Sequence, residues 1–320
     1  VWSVTPQVFF SMDSAQGRFG PCSVTIGNFD GVHRGHRALL KANCDYAKQN
    51  NFRAAVLTFH PHPAVFVAPH RVPLLICNIE ERVRLLGEAG AEHILVLPFN
   101  ELLAQFTPEE FVSQIIVKGL HARAIFVGEN FRFGHKQAGT TQTLRELGQI
   151  HDFATQFLAP VTYRGKLVSS SAIRQSITSG NVAFAGRLLG RCFSLAGQVV
   201  KGQGIGSKQT VPTLNIVPPP GQVIPRGVYI TETRDPVSGR FWPSITNSGT
   251  RPTFDGSEVT IETFLLAPLE GAPPDHIQLQ FRRFIRHEQY FPDASSLKEQ
   301  ILLDVARANA FWRRVIPGAE

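Results

Sequence analysis

A parallel α/β sheet followed by a small antiparallel β-barrel with a terminal helix is the fold this sequence predicts. Three observations predict it. From Cys22 to about Leu158, short apolar runs alternate with segments of helical period, as in a doubly wound sheet. Beyond about residue 190 that alternation stops, and short strand-like runs follow one another at the spacing of a small barrel. The length of 320 residues exceeds what one core usually organises, so two domains are expected.

In the first half, strands are predicted at CSVTIG, RAAVLTF, HILVLPF, RAIFVG and FATQFL. Between the first two lies HRALLKANCDYAKQ, in which Leu39, Leu40, Cys44 and Ala47 share one helical face. TPEEFVSQIIV opens with Thr107, Pro108 at a first helical position and Glu110 three residues after the threonine, a capping-box arrangement. SAIRQSITSG and NVAFAGRLLG read as two short helices, each closed by glycine. The barrel strands are predicted at FSLAGQVV, RGVYITET, FWPSIT, EVTIETFLL and HIQLQFRRF, with a hard break at Pro218, Pro219, Pro220 and Gly221. A last helix sets Leu297, Ile301, Val305 and Ala308 in register. The domain boundary is expected between residues 186 and 187.

Hydrophobic residues make up 43% and charged residues 18%, which describes a folded chain and excludes a disordered one. No run approaches the roughly 18 apolar residues of a membrane span, and VWSVTPQVFF lacks the basic start and cleavage site of a signal peptide. Cys22, Cys44, Cys77 and Cys192 are scattered without a C-x-x-C pair, the usage of reduced thiols rather than of a disulfide framework or zinc site. A cytoplasmic location is therefore expected. The net charge of +7 suits anionic partners: nucleotides, phosphorylated metabolites or nucleic acid.

The run GNFDGVHRGH (27–36) joins a buried strand to a helix. Such a crossover lies at the carboxyl edge of a sheet, where open α/β folds bind ligands, and the helix turns its amide groups toward that edge. His33 and His36 are spaced to face one phosphate, and Gly35 between them admits a large anion close to the backbone. This suits attack by a phosphate on the α-phosphorus of a nucleoside triphosphate. The nucleophile is already ionised, so the protein must position two anions and stabilise charge rather than supply a base. A Gly-rich turn with two surface histidines is the plain alternative.

With its neighbours, this run resembles the H-x-G-H signature of prokaryotic bifunctional riboflavin kinase/FMN adenylyltransferases, the FAD synthetases. TFHPHP (58–63), GENFRFG (128–134) and SSSAIR (169–174) continue the resemblance in the family's order. It implies a Rossmann-like nucleotidyltransferase domain that joins FMN to AMP from ATP. Gly27, Asn28, Phe29, Asp30 and Gly35 would then belong to the ATP site with His33 and His36. Ser170, Ser171 and Arg174 would hold the ATP phosphates, hydroxyls and one guanidinium converging at a helix start. His62 would lie near the FMN phosphate and Asn130 would line the nucleotide or flavin pocket. His60 stands where the family usually has Asp, and no role is assigned to it.

GQGIGSKQTVPTLN carries Gly202, Gly204 and Gly206 but lacks the G-K-[ST] of a P-loop, and a β-hairpin turn is the plain alternative. It resembles the flavokinase hallmark G-R-x-x-G-x-P-T-A-N. The resemblance implies that the three glycines meet ATP and that Thr213 and Asn215, in a P-T-x-N turn, bind Mg²⁺ and the ATP phosphates. Oxygen ligands of that kind suit a hard cation. NSGTRPTF (247–254), RHEQYF (286–291) and IETFLL (261–266) match as well, and Glu262 falls at the family's catalytic glutamate, the group that orients a primary alcohol and accepts its proton. Where the hallmark has Arg, Gly and Ala, this chain has Ser207, Thr210 and Leu214, and APLEGAPPDH replaces the family's acidic stretch after IETFLL.

The implied substrates and products are ATP, riboflavin, FMN and FAD, with Mg²⁺ serving both halves, and with no membrane or nucleic-acid partner. A homo-oligomer is allowed for but not specified. Two other readings stay open. A nucleotidyltransferase for a different phosphate ester explains the first half and gives P-T-x-N and Glu262 no role. A nucleic-acid-binding module would need basic residues interleaved with aromatics, for which RRFIR (282–286) is the nearest match.

Overall fold

A computed structural model describes residues 5–200, 213–253 and 256–315, and the chain divides into two compact units, Val1–Ser170 and Ser171–Glu320. The first unit is built on six parallel strands, β1 (Gln7–Phe9), β2 (Cys22–Ile26), β3 (Arg53–His60), β4 (His93–Pro98), β5 (Ala122–Gly128) and β6 (Ala154–Leu158). Their spatial order is β1-β4-β3-β2-β5-β6. All five expected strands are present. The edge strand β1, with three residues, is too short to show a periodicity.

Every residue of β2 is buried, as a central strand covered on both faces requires. From β2 the chain winds outward through β3 and β4, then returns to the other side of β2 at β5. The carboxyl ends of β2 and β5 therefore flank the switch point of the sheet, the crevice where such folds bind ligands.

The helix Arg34–Gln49 packs against this centre through Leu39, Leu40, Asn43 and Ala47. The sequence period had placed Cys44 on that face. Cys44 is only half-buried, with its Sγ on the Gly90 carbonyl at 3.3 Å. Asn43 takes the buried place because both its amide oxygen and its amide nitrogen are paired: Ser23 Oγ donates to Oδ1 at 2.6 Å, and Nδ2 donates to the Ala55 carbonyl at 3.1 Å. The capping box is present, with the Glu110 N–H on Thr107 Oγ1 at 3.1 Å and the Thr107 N–H on Glu110 Oε2 at 2.8 Å. The turns that follow, Phe111–Gly119, are wider π-helical ones that bury Phe111, Val112, Ile115 and Ile116. A short hairpin, β7 (Thr162–Tyr163) and β8 (Lys166–Leu167), precedes the helix Ser170–Thr178.

In the second unit the helix Val182–Leu189 ends at Gly190, whose φ of 80° is the left-handed conformation that closes a helix. Six antiparallel strands then close a barrel: β9 (Phe193–Val200), β10 (Thr213–Val217), β11 (Gly227–Arg234), β12 (Phe241–Thr253), β13 (Gly256–Leu265) and β14 (His276–Arg286), in the order β10-β13-β12-β11-β14-β9. The P-T-x-N segment was expected as a turn. Thr213 and Asn215 lie instead on β10, because residues 213–217 find ladder partners on both β9 and β13.

Leu214, Ile216, Ile261, Leu265, Leu195 and Phe281 fill the barrel. Beside them runs a buried chain of hydroxyls in which Thr231, Thr233, Ser244, Thr246 and Thr263 satisfy one another.

The helix Ala294–Val315 covers the outer face at Val228, Ile230 and Ile245 with Val305, Ala308, Phe311 and Trp312. Leu297, expected on that face, is 41% exposed, and the aromatic pair near the end of the helix supplies the anchor. Asp304 is buried and accepts from Arg286 Nε at 2.8 Å and from Gln300 at 3.0 Å. Removing it leaves a mostly buried guanidinium without its carboxylate. Asp304→Ala is therefore expected to destabilise the second unit by about 3–5 kcal/mol, read from denaturant unfolding, with Asp304→Asn losing less.

Candidate active sites

At the carboxyl end of β2, the chain turns through residues 27–33 into the helix Arg34–Gln49. His33 is its N-cap, and His33 Nδ1 accepts the His36 N–H at 3.2 Å. With Nδ1 accepting that bond, the ring proton belongs on Nε2. The His33 and His36 rings stack with centroids 3.5 Å apart, and the edge of Phe29 closes on His36 at 5.1 Å. Burial above all, then the neighbouring His33 and Arg82, hold the His36 pKa well below 6.5. His36 is thus a neutral imidazole near neutral pH, able to donate one hydrogen bond.

Two glycines shape this loop. Gly31 has φ +81° and lies against Ile76, so a Cβ would approach Ile76 Cγ2 to 2.9 Å. At Gly35 a Cβ would come within 3.1 Å of the His33 ring. Gly35→Ala is expected to push that ring aside and to slow the adenylyl transfer that the sequence resemblance implies by about tenfold or more, measured as the initial rate of FAD formation from FMN and ATP.

Asp30 is 1% exposed, and its carboxylate accepts the backbone N–H of Ile76 at 2.9 Å and of Cys77 at 3.3 Å. Its carbonyl accepts the Ser170 hydroxyl at 2.9 Å. Asp30 thereby ties the loop, the 76–77 segment and Ser170 together. Across the sheet edge, Thr58 Oγ1 donates to the Asn28 carbonyl at 3.2 Å, and the Asn28 amide meets His62 Nε2 at 3.2 Å. Asn130 follows the carboxyl end of β5 and is exposed. The fold therefore gathers Gly27, Asn28, Phe29, Asp30, His33, Gly35, His36, His62, Asn130 and Ser170 along the carboxyl ends of β2, β3 and β5 and the loops beside them. Ser171 and Arg174 lie on the helix Ser170–Thr178, within the second compact unit.

Arg82 was not among the candidates. It is fully buried on the helix Ile79–Glu88 and donates from Nη1 to the Phe59 carbonyl at 3.2 Å. The sequence did carry a signal: Arg82 shares the buried helical face with Leu85 and Leu86, where an apolar residue is the rule.

On the barrel, register assembles the second set. Glu262 of β13 pairs with Asn215 of β10 on one side and with Asn247 of β12 on the other. Its neighbours Ile261 and Thr263 are buried in the interior, so Glu262 is on the outer face, half-buried. Asn215 is half-buried beside it and Thr213 exposed two residues away, while Leu214 points inward at 4% exposure. Leu214, where the resembled hallmark has Ala, therefore adds to the barrel filling, while Thr213 and Asn215 are on the other face of the strand. Gly202, Gly204, Gly206, Ser207 and Thr210 lie outside the described residues.

The first unit thus carries a histidine pair at the switch point of a parallel sheet, and the barrel carries a strand carboxylate between two asparagines. Residues 16–172 match the family model described as FAD synthetase, and residues 189–312 match that of riboflavin kinase. The chain is 36% identical over 292 residues to the bifunctional riboflavin kinase/FMN adenylyltransferase of Escherichia coli, spanning 91% of this chain and 93% of that protein. The protein of that name from Pseudomonas fluorescens is 33% identical, over 90% of this chain and 92% of its own. The chain belongs to the bifunctional riboflavin kinase/FMN adenylyltransferase family. A crystal structure from Streptococcus pneumoniae described as a macrolide-efflux protein has the same fold, with TM-score 0.85 and 27% identity over 96% of this chain and 99% of that one. Among the described residues here, no helix is long and apolar enough to cross a membrane.

Proposed function

We propose that the chain makes FAD in two steps, phosphorylating riboflavin to FMN within residues 187–320 and transferring AMP from ATP to FMN within residues 1–186. The stacked His33–His36 pair at the sheet switch point, with burial holding the His36 pKa low, is the observation that carries this reading. In the adenylyl transfer, an FMN phosphate oxygen bonds to the α-phosphorus of ATP and pyrophosphate departs. Neither histidine needs to move a proton: each donates a hydrogen bond to the charge that builds on the transferring group. The helix N-terminus adds its amide dipoles, Gly27 to Asp30 shape the floor, Ser170, Ser171 and Arg174 hold ATP phosphates, and His62 and Asn130 lie beside FMN.

In the kinase step the riboflavin primary hydroxyl oxygen bonds to the γ-phosphorus of ATP as ADP departs, and Glu262 orients the hydroxyl and takes its proton. Gly202, Gly204 and Gly206 would contact ATP. Thr213 and Asn215 supply oxygens suited to Mg²⁺, and no cluster of three or more His, Cys, Asp or Glu exists among the described residues to form an all-protein cage. That donor set fits a cation that keeps waters and shares substrate phosphates. Held there by Thr213 and Asn215, Mg²⁺ would supply positive charge to offset that of the ATP phosphates.

The test is chromatography of reactions of the purified protein with Mg²⁺ and ATP, started from riboflavin or from FMN. FMN followed by FAD from riboflavin is expected. FAD from the FMN-started reaction alone would remove the kinase assignment. No FAD from either, by protein that binds ATP, would favour a nucleotidyltransferase for another phosphate ester.

A further inference from the structure

Arg82 is the largest fully buried side chain of the described residues. A buried guanidinium normally faces a carboxylate, as Arg286 faces Asp304 and Arg282 faces Glu232 here. Arg82 has none within ion-pair distance among the described residues. One hydrogen bond, from Nη1 to the Phe59 carbonyl, anchors it, and its buried Nε has no partner. Leaving a buried cation so poorly compensated is costly unless an anion completes it.

Its position says which anion. Phe59 is at the carboxyl end of β3, beside the carboxyl end of β2 from which the His33–His36 loop emerges. Arg82 is near enough to His36 to disfavour a positive charge on that ring. His36 Nδ1 is likewise buried without a partner. The Asn78 cap of the Arg82 helix follows Ile76 and Cys77, whose N–H groups are held by the Asp30 carboxylate, so this helix is tied to the loop at its base. A guanidinium with a single hydrogen bond and no carboxylate, and an unpaired imidazole nitrogen, thus share one buried margin of the switch-point crevice.

We propose that Arg82 is a phosphate-binding catalytic residue of the adenylyl-transfer site. Its guanidinium meets the phosphoryl oxygens at the reacting α-phosphorus. There it takes up the negative charge that gathers as the FMN oxygen–phosphorus bond forms and the bond to the pyrophosphate oxygen breaks, the electron pair leaving with pyrophosphate. This rests on the reading of the first unit as an adenylyltransferase. Before substrate binds, the Phe59 carbonyl holds the side chain in place, which spares reorganisation during the reaction.

The test compares Arg82→Met and Arg82→Lys in the full-length chain with FMN, ATP and Mg²⁺. The Met variant is expected to lose about a hundredfold in kcat for FAD formation, with the KM for ATP changed much less, and the Lys variant to recover roughly tenfold of that loss because it restores the charge. Pyrophosphorolysis of FAD should fall by the same factor, since it shares the transition state, while FMN formation from riboflavin stays unchanged. A kcat for the Met variant within about threefold of the parent would overturn the proposal. So would equal losses in both variants that track the unfolded fraction, as a purely structural arginine would give. Calorimetric titration with inorganic pyrophosphate separates failure of the wider reading. Should the parent make no FAD, about tenfold weaker pyrophosphate binding by Arg82→Met still supports a phosphate-binding Arg82, and unchanged binding refutes it.

Discussion

With His33 and His36 both replaced by Ala, FAD formation from FMN and ATP falls by about a thousandfold or more, while FMN formation from riboflavin continues. Removing one preorganised donor from an anionic transition state costs roughly 10²–10³ in rate, and the two imidazoles act on the same charge, so their losses do not simply add. The double variant also loses the His33 cap on the helix Arg34–Gln49, worth about 1 kcal/mol, so the comparison is made below the unfolding transition. The pH profile adds a second reading. Because burial holds His36 well below 6.5, its neutral donor form persists as pH falls through the ordinary imidazole range. The rate should therefore show no loss near that value attributable to His36. FAD output unaltered in the double variant would remove the site from this loop.

The complementary expectation is at the barrel. Glu262→Ala abolishes FMN formation, by about 10²–10⁴ in kcat as for removal of a general base, and leaves conversion of FMN to FAD near normal. Asn215 and Asn247 flank Glu262 on adjacent strands, so Glu262→Gln keeps a polar group in the same place while removing the base. A loss in the Gln variant close to that of Ala would identify proton acceptance as the role. Riboflavin phosphorylation at the parental rate by either variant would leave Glu262 a structural residue. Each variant serves as the folding control for the other, since each leaves the opposite reaction intact.

Much of the fold was legible because periodicity reports burial directly. The five principal strands of the sheet and the capping box at Thr107 and Glu110 stand where apolar runs and cap residues placed them. What escaped had too little local signal. The three residues of β1 cannot display an alternation. Thr213 to Asn215 follow a proline and were expected as a turn, yet two neighbouring strands capture them. Asn43 displaced Cys44 from the buried face because Ser23 and Ala55, distant in sequence, satisfy its amide.

The candidate sites divided in the same way. Residues within one contiguous motif, such as His33, Gly35 and His36, were legible together because a strand–turn–helix is a local unit. Arg82 was passed over because a charged side chain within an apolar helical period acquires meaning only from what surrounds it.

By itself, the sequence determined the chemical inventory: two neighbouring imidazoles at a helix start, a strand carboxylate, a glycine-rich approach to each, and the order of elements that carries them. Only the tertiary structure decided how these groups are used. It stacked the histidines and set the proton of the His33 ring on Nε2, turned the Asp30 carboxylate onto the 76–77 backbone, and put Leu214 inside the barrel with Glu262 outside it between two asparagines. The physical reason is that hydrogen-bond register, desolvation and charge proximity arise between segments far apart in the chain, whereas helical and strand periods arise within one.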